Sequence, residues 1–139
     1  MALERTLTII KPDAVAAGNS GHIIAHLERE GFKIVAMKKI TLTRAQAQAF
    51  YAVHSHRPFF DSLVDFMTSG PIIPMVLERD NAIVGLREVM GATNPEHAEE
   101  GTVRKLYATN IERNAIHGSD APETAAVERA FFFSGLEQG

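Results

Sequence analysis

The chain has 139 residues, a formal net charge of −3, 45% hydrophobic and 22% charged residues, and no cysteine. This composition predicts one folded domain over residues 1–139 and excludes disulfides, cysteine-based metal centres and thiol catalysis. The acidic balance argues against nucleic acid as the main partner, and no apolar run has the length of a membrane span. Because Glu4 comes too early for a secretory signal, we expect a cytoplasmic protein that does not bind membranes.

Strands and helices are predicted to alternate along the chain. In chain order they are a strand over 5–10, a helix over 21–30, a strand over 32–40, helices over 43–53 and 58–67, a strand over 72–77, a helix over 81–90, a strand over 115–117 and a helix over 120–132. Pro74 either weakens the prediction of its strand or places that strand near a sheet edge. The order is that of a split βαβ repeat, which predicts an α+β, ferredoxin-like sandwich: a four-stranded antiparallel sheet with helices packed on it.

Five of the six histidines lie on the first predicted helix or in polar segments: His22, His26, His54, His56 and His97. The first two are four residues apart, a spacing that can hold a metal, but no third ligand is evident nearby. We therefore interpret all five as solvated surface residues.

His117 differs from these because it lies between a short predicted strand and Gly118 at the start of the last helix. Glu128, eleven residues further on, can hydrogen-bond one ring nitrogen, which would fix the tautomer and leave the other nitrogen as a nucleophile. Ser119 and Asp120 are expected to cap the helix. The alternative, a histidine that merely ends a strand, stays open at this point.

No glycine-rich phosphate-binding motif occurs in the chain. Lys11, Arg87 and Arg104 lie at or near predicted turns, and together with Thr93 they could surround a polyphosphate. Each of these cations taken alone is more often a solvated charge, and sequence spacing does not show that they converge.

Residues 114–120 (NAIHGSD) resemble the N-x-x-H-G-S-D signature of the nucleoside diphosphate kinase family. Five further segments are similar to family segments and occur in the same order: 8–13, 50–51 with 57–60, 67–71, 90–95 and 101–104. The resemblance covers essentially the whole chain, at the length of the bacterial members.

The resemblance implies a ping-pong kinase. The γ-phosphate of a nucleoside triphosphate, mainly ATP, would pass to Nδ1 of His117 and then to a nucleoside diphosphate, which maintains the NTP and dNTP pools. Glu128 would hold the other ring nitrogen. Mg²⁺ would arrive on the nucleotide phosphates, without ligands from the protein. The resemblance also implies a homo-oligomer built from dimers, with a tetramer favoured over a hexamer.

For the phosphates, the resemblance implies contacts from Lys11, Arg87, Thr93 and Arg104, with Tyr51 close to the transferring group.

For the nucleoside, it implies that Phe59 stacks on the base with Ile111 opposite, and that Lys11 and Asn114 contact the ribose 3′-hydroxyl. Stacking accepts any base because every base has a π-face, so we expect weak base specificity. Without the resemblance, Phe59 would be interpreted as a core aromatic.

Five positions depart from the family pattern, and two of them, Ser55 and His56, replace a more usual charged pair. Val53 stands where an acidic residue is common, and Arg79 replaces a common glycine, which suggests a different turn. Leu106 replaces the usual Asp before the aromatic, which puts loop packing or a subunit contact in doubt. None of these belongs to the matched site.

Two other functions remain in view. A regulatory nucleotide-binding module would be expected to have lost the histidine or a phosphate contact, and here all are present. A histidine phosphocarrier would not need Phe59, nor the ribose contacts from Lys11 and Asn114.

Overall fold

The computed structural model describes residues 3–139. Its four strands are β1 (Leu3–Ile10), β2 (Lys33–Met37), β3 (Ile73–Asp80) and β4 (Ile116–Gly118). They form one antiparallel sheet in the order β2-β3-β1-β4. The α-helices are α1 (Pro12–Ala16), α2 (Ser20–Arg29), α3 (Arg44–Phe50), α4 (Phe60–Met67), α5 (Ala82–Met90), α6 (Val103–Tyr107) and α7 (Pro122–Phe132). The predicted α+β, ferredoxin-like sheet with packed helices is confirmed.

Helices cover both faces of the sheet. Leu7 and Ile9 of β1 belong to one buried cluster, with side chains of α3, α4 and α7, whereas Ile10 belongs to a second cluster with side chains of α2 and α5. All three residues are fully buried. Because helices cover both faces, every residue of β1 from Thr6 to Ile10 is buried.

Most predicted elements end within a few residues of the observed ones. α3 begins at a capping box, in which Thr43 accepts from the Gln46 amide and the Gln46 side chain accepts from the Thr43 amide. It ends at Phe50 and continues as a 3-10 turn over Ala52–His54. The short helices α1 and α6 were not predicted, since five residues carry too little periodicity to be recognised.

The edge position suggested for the Pro74 strand is wrong, because β3 is an inner strand of the sheet. The Pro74 carbonyl accepts from the Lys38 amide, just beyond the end of β2. The N–H and C=O groups of one strand residue point to the same side of the strand. The N–H that Pro74 lacks would therefore point towards β2, which has already ended there, and no hydrogen bond to β1 is lost.

The turn expected at Arg79 is also absent, because β3 continues through it to Asp80. Its guanidinium lies 4.3 Å from the centre of the Phe32 ring and donates to the Glu30 carbonyl at 2.9 Å. Gly85 makes room for this group, since a Cβ there would lie 1.6 Å from an Arg79 nitrogen.

The cap of α7 also differs from the prediction. Ala121, not Asp120, is the residue before the helix, and its amide donates to the Thr124 hydroxyl at 3.0 Å. That hydroxyl in turn donates to Asp120 at 2.9 Å.

β4 is a three-residue strand that pairs with β1, with His117 opposite Ile9. The Thr8 hydroxyl donates to the His117 carbonyl at 2.7 Å. His117 is therefore fixed on an outer strand of the sheet, one side of which pairs with no other strand of residues 3–139. Among residues 3–139, no helix has the length and apolar character needed to cross a bilayer.

We predict that Gly118→Ala destabilises the fold by about 1–3 kcal/mol through overpacking. A Cβ at this position would lie 2.9 Å from Leu86 and from Met90, which are both fully buried. Urea unfolding measures the effect. Gly21→Ala in α2 is the matched control, because its Cβ meets nothing within 4 Å, and it should be neutral or stabilising. An unchanged urea midpoint for Gly118→Ala would contradict the packing account.

Candidate active site

A cleft of about 450 Å³ opens beside β4. Nine of the ten site residues predicted from the sequence line it: Lys11, Tyr51, Phe59, Arg87, Thr93, Arg104, Ile111, Asn114 and His117. The tenth, Glu128, contacts His117 from α7. The structure thus brings together residues that lie more than a hundred positions apart in the chain.

The His117 ring is hydrogen-bonded to α7. Its Nε2 lies 2.7 Å from Oε1 of Glu128, and both side chains are about four-fifths buried. A carboxylate can only accept, so the neutral ring carries its proton on Nε2 and its lone pair on Nδ1. The lone pair on Nδ1 is therefore not engaged by Glu128.

Ser119 has a different role from the predicted helix cap. Its hydroxyl donates to the same Glu128 oxygen at 2.7 Å, and the residue is fully buried. The carboxylate thus receives two hydrogen bonds, which fix its position relative to the His117 ring.

Phe50 packs against the ring of His117. The two ring centres are 5.7 Å apart at 74°, an edge-to-face contact. Phe50 also contacts two rings of α7, Phe131 edge-to-face at 5.2 Å and Phe132 at 5.1 Å with the ring planes tilted by 53°. Phe50 is not among the site residues predicted from the sequence, although it lies beside Tyr51 in a segment that resembles the family.

Lys11 is buried at the base of the cleft, where its Nζ donates to Oδ1 of Asn114 at 2.8 Å. Burial and, to a smaller extent, the neighbouring charge of Arg104 lower the pKa of Lys11 to about 8. The side-chain nitrogen Nδ2 of Asn114 donates to the Thr93 carbonyl at 3.2 Å, which connects Lys11 and Asn114 to the loop after α5.

Arg104 is buried and supports the loops around the cleft. It donates to the Gly91 carbonyl at 3.0 Å and to the Ile116 carbonyl at 2.8 Å. Burial, together with the charge of Arg87, lowers its pKa to about 10. Its Nε finds no hydrogen-bond partner among residues 3–139. Arg87 itself is exposed.

Tyr51 is buried in the wall of the cleft, and its hydroxyl has no hydrogen-bond partner within the described part of the chain. Burial, and then the charge of Glu128, raises the pKa of the phenol, so the hydroxyl stays protonated at all ordinary pH values. It is a neutral donor close to His117.

Phe59 and Ile111 are partly exposed residues of the cleft, with 47% and 58% of their surface accessible. The His54 ring lies 5.7 Å from that of Phe59. The surface interpretation is wrong for His54, which is half-buried and lines the cleft, and for His26, which is buried in α2. Both errors arise because side-chain burial at these positions depends on packing from distant segments.

The comparison with known proteins agrees with this geometry. The family model described as nucleoside diphosphate kinase matches residues 4–138. A nucleoside diphosphate kinase of Persephonella marina is 62% identical, with 99% of this chain and 98% of the relative covered. One of Bradyrhizobium diazoefficiens is 58% identical over 99% of this chain and 98% of its own length. The chain belongs to the nucleoside diphosphate kinase family.

Solved structures of the family have the same fold. The nucleoside diphosphate kinase of Aquifex aeolicus matches with a TM-score of 0.97 at 46% identity, covering 99% of this chain and 100% of that one. The halophilic nucleoside diphosphate kinase of Halobacterium salinarum, in complex with CDP, matches with a TM-score of 0.95 at 40% identity, covering 99% and 92%.

Family membership confirms the predicted function. The chain is a nucleoside diphosphate kinase-type phosphotransferase that moves the γ-phosphate of a nucleoside triphosphate to a nucleoside diphosphate. Nucleotide kinases of this family generally need a divalent cation.

We predict that the affinity for ADP falls as the pH rises through about 8, because Lys11 then loses the charge that attracts the phosphates. The pKa of Lys11 in the folded chain is below its ordinary value of 10.5. Between about pH 8 and pH 10.5 the unfolded chain therefore binds more protons at this residue than the folded chain does, so the contribution of Lys11 to the free energy of unfolding rises with pH. The affinity for ADP falls over the same range.

Calorimetric titration with ADP from pH 7 to 9.5 tests this prediction. The Lys11→Arg variant is the control, since its guanidinium keeps its charge and should abolish the alkaline loss. A wild-type affinity that stays constant to pH 9.5 would show that Lys11 is not the phosphate contact.

Proposed function

We propose that Nδ1 of His117 is the atom that carries the phosphoryl group between the two nucleotides. The observation that supports this most directly is the 2.7 Å contact between Nε2 and Glu128, which leaves Nδ1 as the free nitrogen of a ring that lines a cation-rich cleft. The lone pair on Nδ1 attacks the γ-phosphorus, the bond from that phosphorus to the β-phosphate oxygen breaks, and the nucleoside diphosphate leaves.

Glu128 acts in this step through the ring. The proton on Nε2 stays in place, and the ring becomes positively charged when Nδ1 is phosphorylated. The nearby carboxylate stabilises that charge and keeps the tautomer correct. The second half of the cycle reverses the first, with an oxygen of the acceptor's β-phosphate attacking the phosphohistidine.

Lys11, Arg87 and Arg104 are proposed to bind the phosphates, with Thr93 contributing its hydroxyl. All four line the cleft beside His117. Phosphoryl transfer depends mainly on positioning and on positive charge placed where negative charge accumulates, and these residues supply both. Tyr51, with its unpartnered neutral hydroxyl, is proposed to donate to the transferring group.

Phe59 and Ile111 are proposed to hold the base, and Asn114 and Lys11 to hold the ribose 3′-hydroxyl. The partly exposed apolar side chains of the first pair support a stacking site that accepts every base. A relative with the same fold is in complex with CDP, which supports a nucleoside diphosphate as the ligand here. ATP is the proposed main donor.

Mg²⁺ is the proposed cation. Within residues 3–139, no group of three or more His, Asp or Glu side chains is arranged to hold a metal. Mg²⁺ usually keeps several waters and is bound largely by substrate phosphates, so the site fits a cation that arrives with the nucleotide. Glu112 and Asp120 are the carboxylates that line the cleft and are available to its water shell. The bound cation would neutralise phosphate charge.

The active form is proposed to be a homo-oligomer built from dimers in the cytoplasm, as a tetramer rather than a hexamer. Two features support self-association. β2 is an outer strand of the sheet, and large apolar side chains such as Met37, Val84 and Val127 are more than half exposed.

We predict that the protein incubated with Mg²⁺ and γ-labelled ATP, without an acceptor, takes up label that is acid-labile, base-stable and released by GDP. His117→Ala should take up none. His97→Ala, which removes an exposed histidine outside the cleft, is the matched control and should label normally.

The outcomes separate the three functions considered. Binding of ATP without labelling would contradict the kinase mechanism and favour a regulatory module. Label that GDP fails to remove, but that passes to a protein acceptor, would favour a histidine phosphocarrier.

We further predict that Phe59→Ala raises KM for ADP, GDP and CDP by similar factors, about 5- to 150-fold, because one stacking contact is worth about 1–3 kcal/mol. Steady-state rates with each acceptor measure this. Leu63→Ala, which removes another apolar side chain of the cleft, is a control for loss of volume. A KM change confined to one base would indicate recognition of base edges instead of stacking.

A further inference from the structure

The turn that leads into β4 contains a strained residue. Ala115 has a φ of 74°, in the left-handed region that residues other than glycine rarely adopt, and it is fully buried. The Ile116 amide donates to the Asn114 carbonyl at 2.9 Å, which closes a three-residue γ-turn around Ala115. Turns of this kind with positive φ are rare and are retained only where the surroundings hold them.

The turn lies between two residues of the proposed mechanism. Asn114, which precedes it, accepts from Lys11, and His117 follows it by two residues. A change of φ at Ala115 would move the Asn114 side chain relative to β4, and therefore relative to His117.

Both backbone groups of Ala115 are bound by the segment that follows β1. Oδ2 of Asp13 accepts from the Ala115 amide at 3.1 Å, and the Lys11 amide donates to the Ala115 carbonyl at 2.8 Å. The carbonyl contact uses backbone only. Asp13 is thus the side chain that reaches the amide of the strained residue, from a distance of 102 positions in the sequence.

We propose that Asp13 is a positioning residue for phosphoryl transfer: its carboxylate holds Ala115 in the left-handed conformation that sets Asn114 beside Lys11 and fixes the start of the His117 strand. Asp13 is not among the residues that line the cleft. It therefore acts through the turn and not on the nucleotide. The inference rests on the proposed role of His117.

The environment of Asp13 fits this assignment. Burial raises the pKa of its carboxyl, and the amides of Ala14 and Ala115 oppose that shift. Its Oδ1 is buried and has no hydrogen-bond partner among residues 3–139. A rival explanation is that Asp13 acts as a charge on Lys11, and the test must separate the two.

The test measures the single-turnover rate of His117 phosphorylation by Mg²⁺–ATP for Asp13→Ala, Asp13→Asn, Ala115→Gly and the double variant Asp13→Ala/Ala115→Gly. We expect Asp13→Ala to be slower by about 100-fold, the scale of a small displacement of reacting groups. Asp13→Asn should stay within a few-fold of wild type, because its amide oxygen still accepts from Ala115.

Glycine adopts positive φ at no steric cost, so it should remove most of the need for Asp13. The double variant is therefore expected to be faster than Asp13→Ala by about tenfold. Asp61→Ala is the matched control, since Asp61 occupies the same first-turn position in α4 as Asp13 in α1 and is exposed.

Each contrary outcome overturns the assignment. Asp13→Asn as slow as Asp13→Ala would show that the charge matters and not the hydrogen bond. A double variant as slow as Asp13→Ala would show that the carboxylate does not act through Ala115. Should Asp13→Ala fail to fold, the double variant is compared with Ala115→Gly instead. A phosphorylation rate about 100-fold lower in the double variant would also show that the carboxylate does not act through Ala115. Absence of labelling in wild type would instead contradict the proposed function.

Discussion

A hydrogen bond of 2.7 Å between Nε2 of His117 and Glu128 joins β4 to α7 and fixes the tautomer of the histidine ring. This hydrogen bond forms only if β4 and α7 are packed at a fixed distance from each other. β4 is held in register on β1, with His117 opposite Ile9, and the Ser119 hydroxyl donates a hydrogen bond that fixes the Glu128 carboxylate. The nitrogen that we propose as the nucleophile is thus defined by the packing of the sheet edge against α7, and not by the histidine alone.

The cleft beside this ring collects positive charge in a partly buried place. Lys11 and Arg104 have pKa values lowered by burial, which means that the folded protein holds them charged at a cost in free energy. A phosphate bound there, as we propose, would stabilise the charged forms of both side chains and so offset that cost. The same cations are tied to backbone and amide oxygens before the ligand arrives, Lys11 at Asn114 and Arg104 at Gly91 and Ile116.

Much of this was predictable from the sequence, for identifiable reasons. Apolar patterning is local, so β1 and α2 were placed within a few residues. The His117–Glu128 contact could be anticipated because a strand, a glycine turn and a helix bring residues eleven apart together. The convergence of Lys11, Arg87 and Arg104 could not be read from spacing, and only the family resemblance supplied it.

The predictions that failed depend on contacts between distant segments. Pro74 fits an inner strand because β2 ends beside it, and Ser119 turns away from the helix start because Glu128 reaches it. The left-handed Ala115 gives no sequence signal, since alanine does not mark positive φ, and its partner Asp13 lies at the other end of the chain.

The most direct test of the account is the identity of the phosphohistidine isomer. The phosphorylated enzyme, formed with Mg²⁺–ATP and held at alkaline pH, can be examined by ³¹P and ¹⁵N NMR, which distinguish phosphate on Nδ1 from phosphate on Nε2. The account predicts Nδ1-phosphohistidine at position 117. Phosphate on Nε2 would contradict it, because Glu128 would then not hold that nitrogen during the reaction.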